Sequence, residues 1–287
     1  MTPLFSAAFL CIFACAFFAG ASALGKAVLT VIPGPSLHPF QVTAARFLFA
    51  FITLTPFLIM RGRGVFRTAI PLRHLQRVVL GLVGLTCIFG AVEVLPLADV
   101  MAVVWSSPLF ALVFAAWFLR ERVDGTCWVA AVVGFAGVVV IMRPSPSTFE
   151  PMVLLALVAA ILTGAEVVTV RLLAVKDTGL TVLAINNAVG AVLACSVVVF
   201  FFMMPSGAQL LALAGVGVVT LAGQALFLQA LRIAASSAVV PFCYSTLIWA
   251  ALIGVLVFDK LPSWHFYLGA SLIIAGGAFV SWRGERG

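Results

Sequence analysis

Residues 95–144 read LPLADVMAVVWSSPLFALVFAAWFLRERVDGTCWVAAVVGFAGVVVIMRP. An apolar run with a mid-run proline, Pro108, ends in the charged cluster Arg120-Glu121-Arg122. A second apolar run follows, with small residues at Gly134 and Gly137. The same design returns at 231–282, LRIAASSAVVPFCYSTLIWAALIGVLVFDKLPSWHFYLGASLIIAGGAFVSW. Asp259-Lys260 falls where Glu121-Arg122 fell, and Gly276 where Gly137 fell. An echo at this spacing means two related halves, here 1–144 and 145–287.

Working outward, the whole chain has the same character. It holds 287 residues, 64% hydrophobic and 9% charged. A soluble domain averages about 25% charged residues, so this chain lacks the polar surface to cover itself in water. The fold class is an all-α membrane protein. Breaks occur where Pro, Gly and charges cluster. They predict ten transmembrane helices near 4–27, 39–60, 74–92, 97–118, 125–142, 151–173, 179–203, 208–230, 236–257 and 264–282. The N-terminal run resembles a signal peptide, but no basic residue precedes its apolar core. It is therefore expected to be the first span, retained.

The net charge of +7 is explained by its distribution. With the N-terminus in the cytoplasm, Arg61, Arg63, Arg67, Arg73, Arg77, Arg120 and Arg122 lie on the inner side with most other basic residues. Lys26, Arg143 and Lys260 lie outside. Positive-inside bias sets both termini in the cytoplasm of a multi-pass protein, and no nucleic acid is implied. The Arg61–Arg77 run is expected to be a solvated loop against lipid headgroups. Five spans per half is an odd number, so the second half sits upside down relative to the first. Inverted repeats of this kind recur in secondary transporters, with the substrate at the repeat interface.

The repeated pattern resembles the EamA type of the drug/metabolite transporter superfamily. It is carried by Ala98 to Gly137, with Ser107-Pro108 and Leu119-Arg120-Glu121-Arg122. Arg46 in Ala44-Ala45-Arg46-Phe47, with Pro56 ten residues on, and Ala234 to Gly277 carry it too. The Ser-Pro pair becomes Ser245-Thr246 in the second half, a departure that bears on helix bending. The resemblance implies two inverted five-helix repeats around a central cavity that opens to either side in turn. It implies a place in the bacterial inner membrane. Among its branches the exporters of amino acids, aromatic ones included, are nearest. Others move nucleosides, adenosylmethionine, riboflavin or drugs.

Charge within a bilayer costs roughly 2.5–3.5 kcal/mol on insertion scales, so each instance needs a reason. Arg46 lies within span 2. It either attracts a substrate carboxylate or makes a structural ion pair with Asp99 or Glu93. Glu166, mid-span in helix 6, either binds substrate or a proton or bonds a neighbouring helix. Asp99 and Glu93 sit near the outer mouth, as an interfacial network. Trp105, Tyr244 and Trp249 lie inside spans 4 and 9, where buried Trp and Tyr want polar partners that lipid cannot supply. They are expected to face protein or a wet cavity and to offer flat walls to a ring-bearing substrate. Gln224 is the polar candidate on helix 8, which the resemblance places at the cavity. Pro108 and Pro241 leave carbonyls unbonded and bend their helices, making them candidates for gating.

Cysteines at 11, 15, 87, 127, 195 and 243 show no metal-ligand spacing, and Cys11 and Cys15 read as small apolar fillers. No metal and no cofactor are expected. An intramembrane enzyme is the contrasting reading. Its warrants are missing: His38, His74 and His265 lie at span ends, and Gly20-Ala21-Ser22-Ala23-Leu24 lacks the second glycine of a nucleophile elbow. GxxxxGK[ST] is absent, so transport draws on gradients with no ATPase subunit. The expected partners are a small-molecule substrate and the lipid bilayer. The oligomeric state is open, and a monomer is compatible with the pattern.

Overall fold

The computed structural model describes residues 3–118, 125–142, 150–174, 176–233 and 242–283. Among them, regular structure is helical throughout. In chain order, α1 spans Pro3–Thr30, α2 Pro39–Arg61, α3 Pro71–Val94, α4 Leu97–Val104, α5 Ser107–Phe118 and α6 Gly125–Met142. Then come α7 Val153–Ala174, α8 Gly179–Val198, α9 Gly207–Ile233, α10 Ser245–Phe258 and α11 Trp264–Arg283. Six of these, α1, α2, α3, α7, α8 and α9, carry windows long and apolar enough to cross a bilayer. The others contribute shorter apolar stretches.

Local chemistry explains the ends. Pro39 and Pro71 occupy first-turn positions of α2 and α3, where a missing N–H costs nothing. His38 Nδ1 caps α2 by accepting from the Phe40 amide. Thr178 caps α8 by accepting from the Thr181 amide. α10 stops at Asp259, whose φ of 50° is left-handed. There the Lys260 amide turns back to the Gly254 carbonyl at 3.0 Å. Short polar side chains such as Asp tolerate this region better than most.

The two halves interleave. α1 packs on α9 and α10, α2 on α8 and α9, α3 on α7, α5 on α7, and α6 on α11. One core of buried residues draws on both halves, including Val42, Val92, Met101, Ala159, Leu213 and Leu247. In lipid, close helix approach rests on small residues, and α6 meets α11 in this way. A Cβ on Gly137 would lie 2.5 Å from the Gly269 carbonyl oxygen, and one on Gly269 would lie 2.6 Å from that of Gly137. Backbone meets backbone, so neither side can give way. Gly137→Ala is expected to cost about 1–3 kcal/mol by overpacking. A thermal-unfolding series in detergent would read this as a lowered midpoint, and an unchanged midpoint would refute the contact.

Side chains fasten both ends of the bundle. Lys26 is buried and donates to the carbonyls of Val92 and Leu95, which the C-terminus of α3 leaves unbonded. The charge placed on the outer side by sequence is thus a helix cap. Gln41 exchanges two bonds with the Met203 backbone, tying α2 to the turn before α9. At the other end His74 Nε2 lies 2.7 Å from Asp177 Oδ2, and the Thr68 hydroxyl donates to the same oxygen. Burial raises the Asp177 pKa, but the bonds from His74 and Thr68 prevail and hold it below its ordinary range. This clasp therefore stabilises the fold above the usual carboxylate range and is lost as pH falls through the depressed value.

The expected span 97–118 is not one helix. It divides at Trp105-Ser106, giving α4 and α5. The expected solvated loop 61–77 is also revised. α3 begins at Pro71, so His74 and Arg77 are helical and buried, at 2% and 7% exposure. Pro241 and the cluster Arg120-Glu121-Arg122 lie outside the described residues.

Candidate functional site

The break between α4 and α5 follows from Pro108, which has no N–H to bond the Val104 carbonyl. Three hydrogen bonds shape the turn around it. The Ser106 hydroxyl donates to Val103 O at 2.6 Å, the Ser106 amide to the same oxygen at 3.1 Å, and the Leu109 amide to Ser106 O at 2.9 Å. A related turn precedes α10. There the Leu247 amide donates to Tyr244 O at 3.0 Å, and the Thr246 hydroxyl donates to Cys243 O at 2.8 Å. Bends of this kind at membrane depth are tolerated where side chains satisfy the freed backbone.

These two turns carry the aromatic candidates. Trp105 closes α4, Tyr244 caps α10, and Trp249 follows on α10. α4 packs directly on α10. Trp105 and Trp249, both partly buried, pack against two shared clusters: the central core that contains Tyr244, and a smaller one built by Ala7, Cys11, Cys15, Ala230 and Cys243. Phe227 of α9 joins the smaller one, one turn from Gln224. Trp105 and Trp249 thus share neighbours, and Tyr244 belongs to the larger cluster that both touch. Tyr244 Oη, Ser245 Oγ and Gln224 Oε1 are buried and have no hydrogen-bond partner among the described residues. Buried polar atoms are rarely left so, and this unspent capacity sits beside flat apolar rings.

The charged candidates form a second group. Glu166 of α7 faces α3, where Arg77 Nε lies 3.4 Å from Glu166 Oε1. Gly81 leaves the space for the carboxylate: a Cβ there would meet Glu166 Oε2 at 3.3 Å. Arg77 Nη1 also donates to Val182 O of α8 at 3.3 Å. Arg46 of α2 lies within the field of both Glu166 and Arg77, and its guanidinium stacks 4.4 Å from the Phe47 ring. Glu166 thus joins Asp99 and Glu93 as a carboxylate whose charge can act on Arg46. Asp99 sits in the first turn of α4, where a carboxylate complements the helix dipole. Arg77 is the residue that sequence reasoning missed. The signal was there: counted from Pro71, it lies about six residues, or ~9 Å, inside the helix.

A Cβ on Gly164 would lie 2.9 Å from Ser107 O and 3.0 Å from Ala111 N. α7 therefore touches backbone at the start of α5 with the face opposite Glu166, since two residues are about 200° apart on a helix.

Sequence spacing also hid a thiol group. Cys11, Cys15 and Cys243 are buried, with sulfurs all within 4.8 Å of one another. Cys11 Sγ lies 3.4 Å from Cys243 Sγ. Three sulfurs are a donor set that soft metal ions favour. Two of them were read as isolated fillers because the third is far along the chain.

The described residues place two helix breaks, partly buried tryptophans and a charged pair within the bundle. A family model described as the EamA-like transporter family matches residues 5–143 and again 150–282. The chain belongs to that family. Membership in the EamA-like family, within the drug/metabolite transporter superfamily, makes it a multi-pass membrane transporter of small molecules and not an enzyme. A similar protein is the S-adenosylmethionine uptake transporter of Rickettsia felis. It is 29% identical over 259 residues, which cover 90% of this chain and 88% of that one. Another is the riboflavin transporter of Rhizobium johnstonii, 32% identical over 238 residues, covering 81% and 77%. A crystal structure 22% identical in sequence superposes with a TM-score of 0.65 over 98% of this chain and 96% of its own, and so shares the fold.

Proposed function

We propose that this protein is a secondary transporter of a small, ring-bearing organic solute across the bacterial inner membrane, working by alternating access. The observation that carries the reading is that Trp105 and Trp249, both partly buried, pack on one small cluster next to a helix break, with the Tyr244 and Gln224 oxygens buried without a partner among the described residues. Flat rings grip a flat solute, and isolated polar atoms orient it. Transport of adenosylmethionine and of riboflavin by relatives supports this, since both solutes carry fused rings. Export of aromatic amino acids is the finer alternative and uses the same walls.

The duplicated, inverted architecture belongs to this proposal. Two successive family matches support it, and so does the pairing of helices. Exchanging the halves turns the contact of α1 with α9 into that of α7 with α3, and returns α6 with α11 to itself. Residues 1–144 and 145–287 are then repeats that share one core rather than separate bodies. The breaks at Pro108 and before α10 are the gating points, and Pro241 belongs with them by sequence. Both termini face the cytoplasm.

Counterflow in vesicles tests the reading. Preloaded adenosylmethionine, riboflavin or phenylalanine should accelerate entry of the labelled solute, and one of these is expected to dominate by at least about tenfold. Equal failure of all three, in protein shown to be folded, would refute a ring-bearing substrate. In the same vesicles Pro108→Ala should slow turnover and leave affinity unchanged. Unaltered rates would remove the gating role.

A further inference from the structure

Three thiols converge although no spacing in the chain announces them. Cys11 and Cys15 stand four residues apart on α1, so one face of that helix presents both. Cys243 stands just before α10, near the other end of the sequence. All three are buried, at 0%, 0% and 3% exposure. Their sulfurs lie within 4.8 Å of one another, and Cys11 Sγ is 3.4 Å from Cys243 Sγ. Three sulfurs bonded to one central ion at about 2.3 Å, the zinc–sulfur length, stand ~4.0 Å apart around it. The 3.4 Å contact and the 4.8 Å bound lie on either side of that value, so small side-chain rotations complete the triangle. An ion takes the place of thiol hydrogens within the triangle and needs no separate cavity. Cysteine as an apolar filler explains the burial but not the convergence. Of the five buried residues described in this small core, three are thiols drawn from distant parts of the chain.

We propose that Cys11, Cys15 and Cys243 bind one soft divalent metal ion, of the zinc and cadmium kind, which bridges α1 to the break before α10. The donors select the ion. Thiolate sulfur is a soft ligand that favours such ions over Mg(II) and Ca(II), which take oxygen. The surroundings select the charge. Trp105, Trp249, Phe227 and Phe242 pack against the cluster, and net charge is costly among apolar groups. A divalent ion that binds two thiolates, with two thiol protons released to solvent, leaves the group neutral. The third sulfur stays a thiol and contributes a lone pair. The Cys15 thiol donates to the Cys243 carbonyl at 3.5 Å, which holds α1 and the segment before α10 in register for the ion. The proposal goes beyond the transporter reading and does not rest on it.

The test uses purified full-length protein in detergent, reduced and then freed of reductant. The parent carries Cys87→Ala, Cys127→Ala and Cys195→Ala, so that only the three converging thiols remain. The probe is Cd(II), whose bonds to thiolates give an ultraviolet charge-transfer band. One Cd(II) per chain is expected, with that band and two protons released. At a hundredfold excess over the dissociation constant, Cd(II) should raise the unfolding midpoint by at least about 5 °C. Adding Cys11→Ala, Cys15→Ala or Cys243→Ala should each weaken binding by at least about a hundredfold, more than the loss of an outer-shell partner costs. Mg(II) at equal concentration should change neither spectrum nor midpoint. No band, full affinity in any of the three variants, or a proton count other than two overturns the site. If the variants do not fold, the stoichiometry, band and proton count decide, since all three are read on the parent alone. A Cys11–Cys243 disulfide formed by diamide in protein that ignores Cd(II) would assign the contact to redox chemistry instead. Cd(II) binding without counterflow would sink the transporter reading and leave the metal site standing, and counterflow without Cd(II) binding would do the reverse.

Discussion

Glu166→Gln is expected to destabilise the folded protein by about 1–3 kcal/mol, less than for one partner of a fully buried ion pair because the Glu166 side chain is 25% exposed. The reason is what remains. Arg77 loses the carboxylate 3.4 Å from its Nε, and Arg46 loses the negative field that offsets its own burial. Two guanidiniums then repel each other in a medium that screens little. Glutamine keeps the shape and one acceptor, so the loss reports charge rather than volume. Equilibrium unfolding in mixed micelles would measure it. A paired replacement tests the cause. Glu166→Leu with Arg77→Met removes the pair together, and burying matched apolar groups in place of an ion pair is often neutral. That double variant should recover most of the loss and still fall short of wild type, because Arg46 stays unbalanced. Adding Arg46→Met should close the gap. Additive losses across the series, or a silent Glu166→Gln, would show that the three residues do not act as one group.

Which features were legible in the sequence follows from what each depends on. Helices were legible because lipid demands long apolar runs, and Pro39, Pro71 and Gly207 stand at their starts. The aromatic group was legible because depth is a one-dimensional property: Trp105 and Trp249 sit mid-run, while the exposed Trp117, Trp128 and Trp264 sit near run ends. Partners across the bundle were not legible. Glu166 was seen as an isolated charge because Arg77 is a long way back along the chain and was counted as the last residue of the Arg61–Arg77 loop. The capping role of Lys26 was not legible because its acceptors, Val92 O and Leu95 O, are backbone atoms that no residue code marks. The division at Trp105 is intermediate. Pro108 announces a bend, but the sharpness of the break comes from the Ser106 hydroxyl taking the Val103 carbonyl.

Trp249→Ala should raise the half-saturation concentration of a ring-bearing solute by about 10–100-fold, whereas Trp249→Phe should raise it only a few-fold. Losing a large aromatic anchor from a binding wall commonly costs 2 kcal/mol or more, and 1.4 kcal/mol is a factor of ten. Phenylalanine keeps most of the flat surface and gives up only the indole N–H. A purely structural tryptophan would behave differently. Truncating it would lower the unfolding midpoint and the amount of folded protein, with the affinity of surviving molecules unchanged. Partial burial favours the first outcome: Trp249 leans on the core without being enclosed by it, so its removal opens a wall more than it empties a cavity. Trp105 stands on the other break and offers the control. If both rings contact one solute, losing them together costs less or more than the sum, since neighbouring anchors couple. Strict additivity would place the two tryptophans on separate surfaces, and the shared site would then have to be redrawn around only one of the helix breaks.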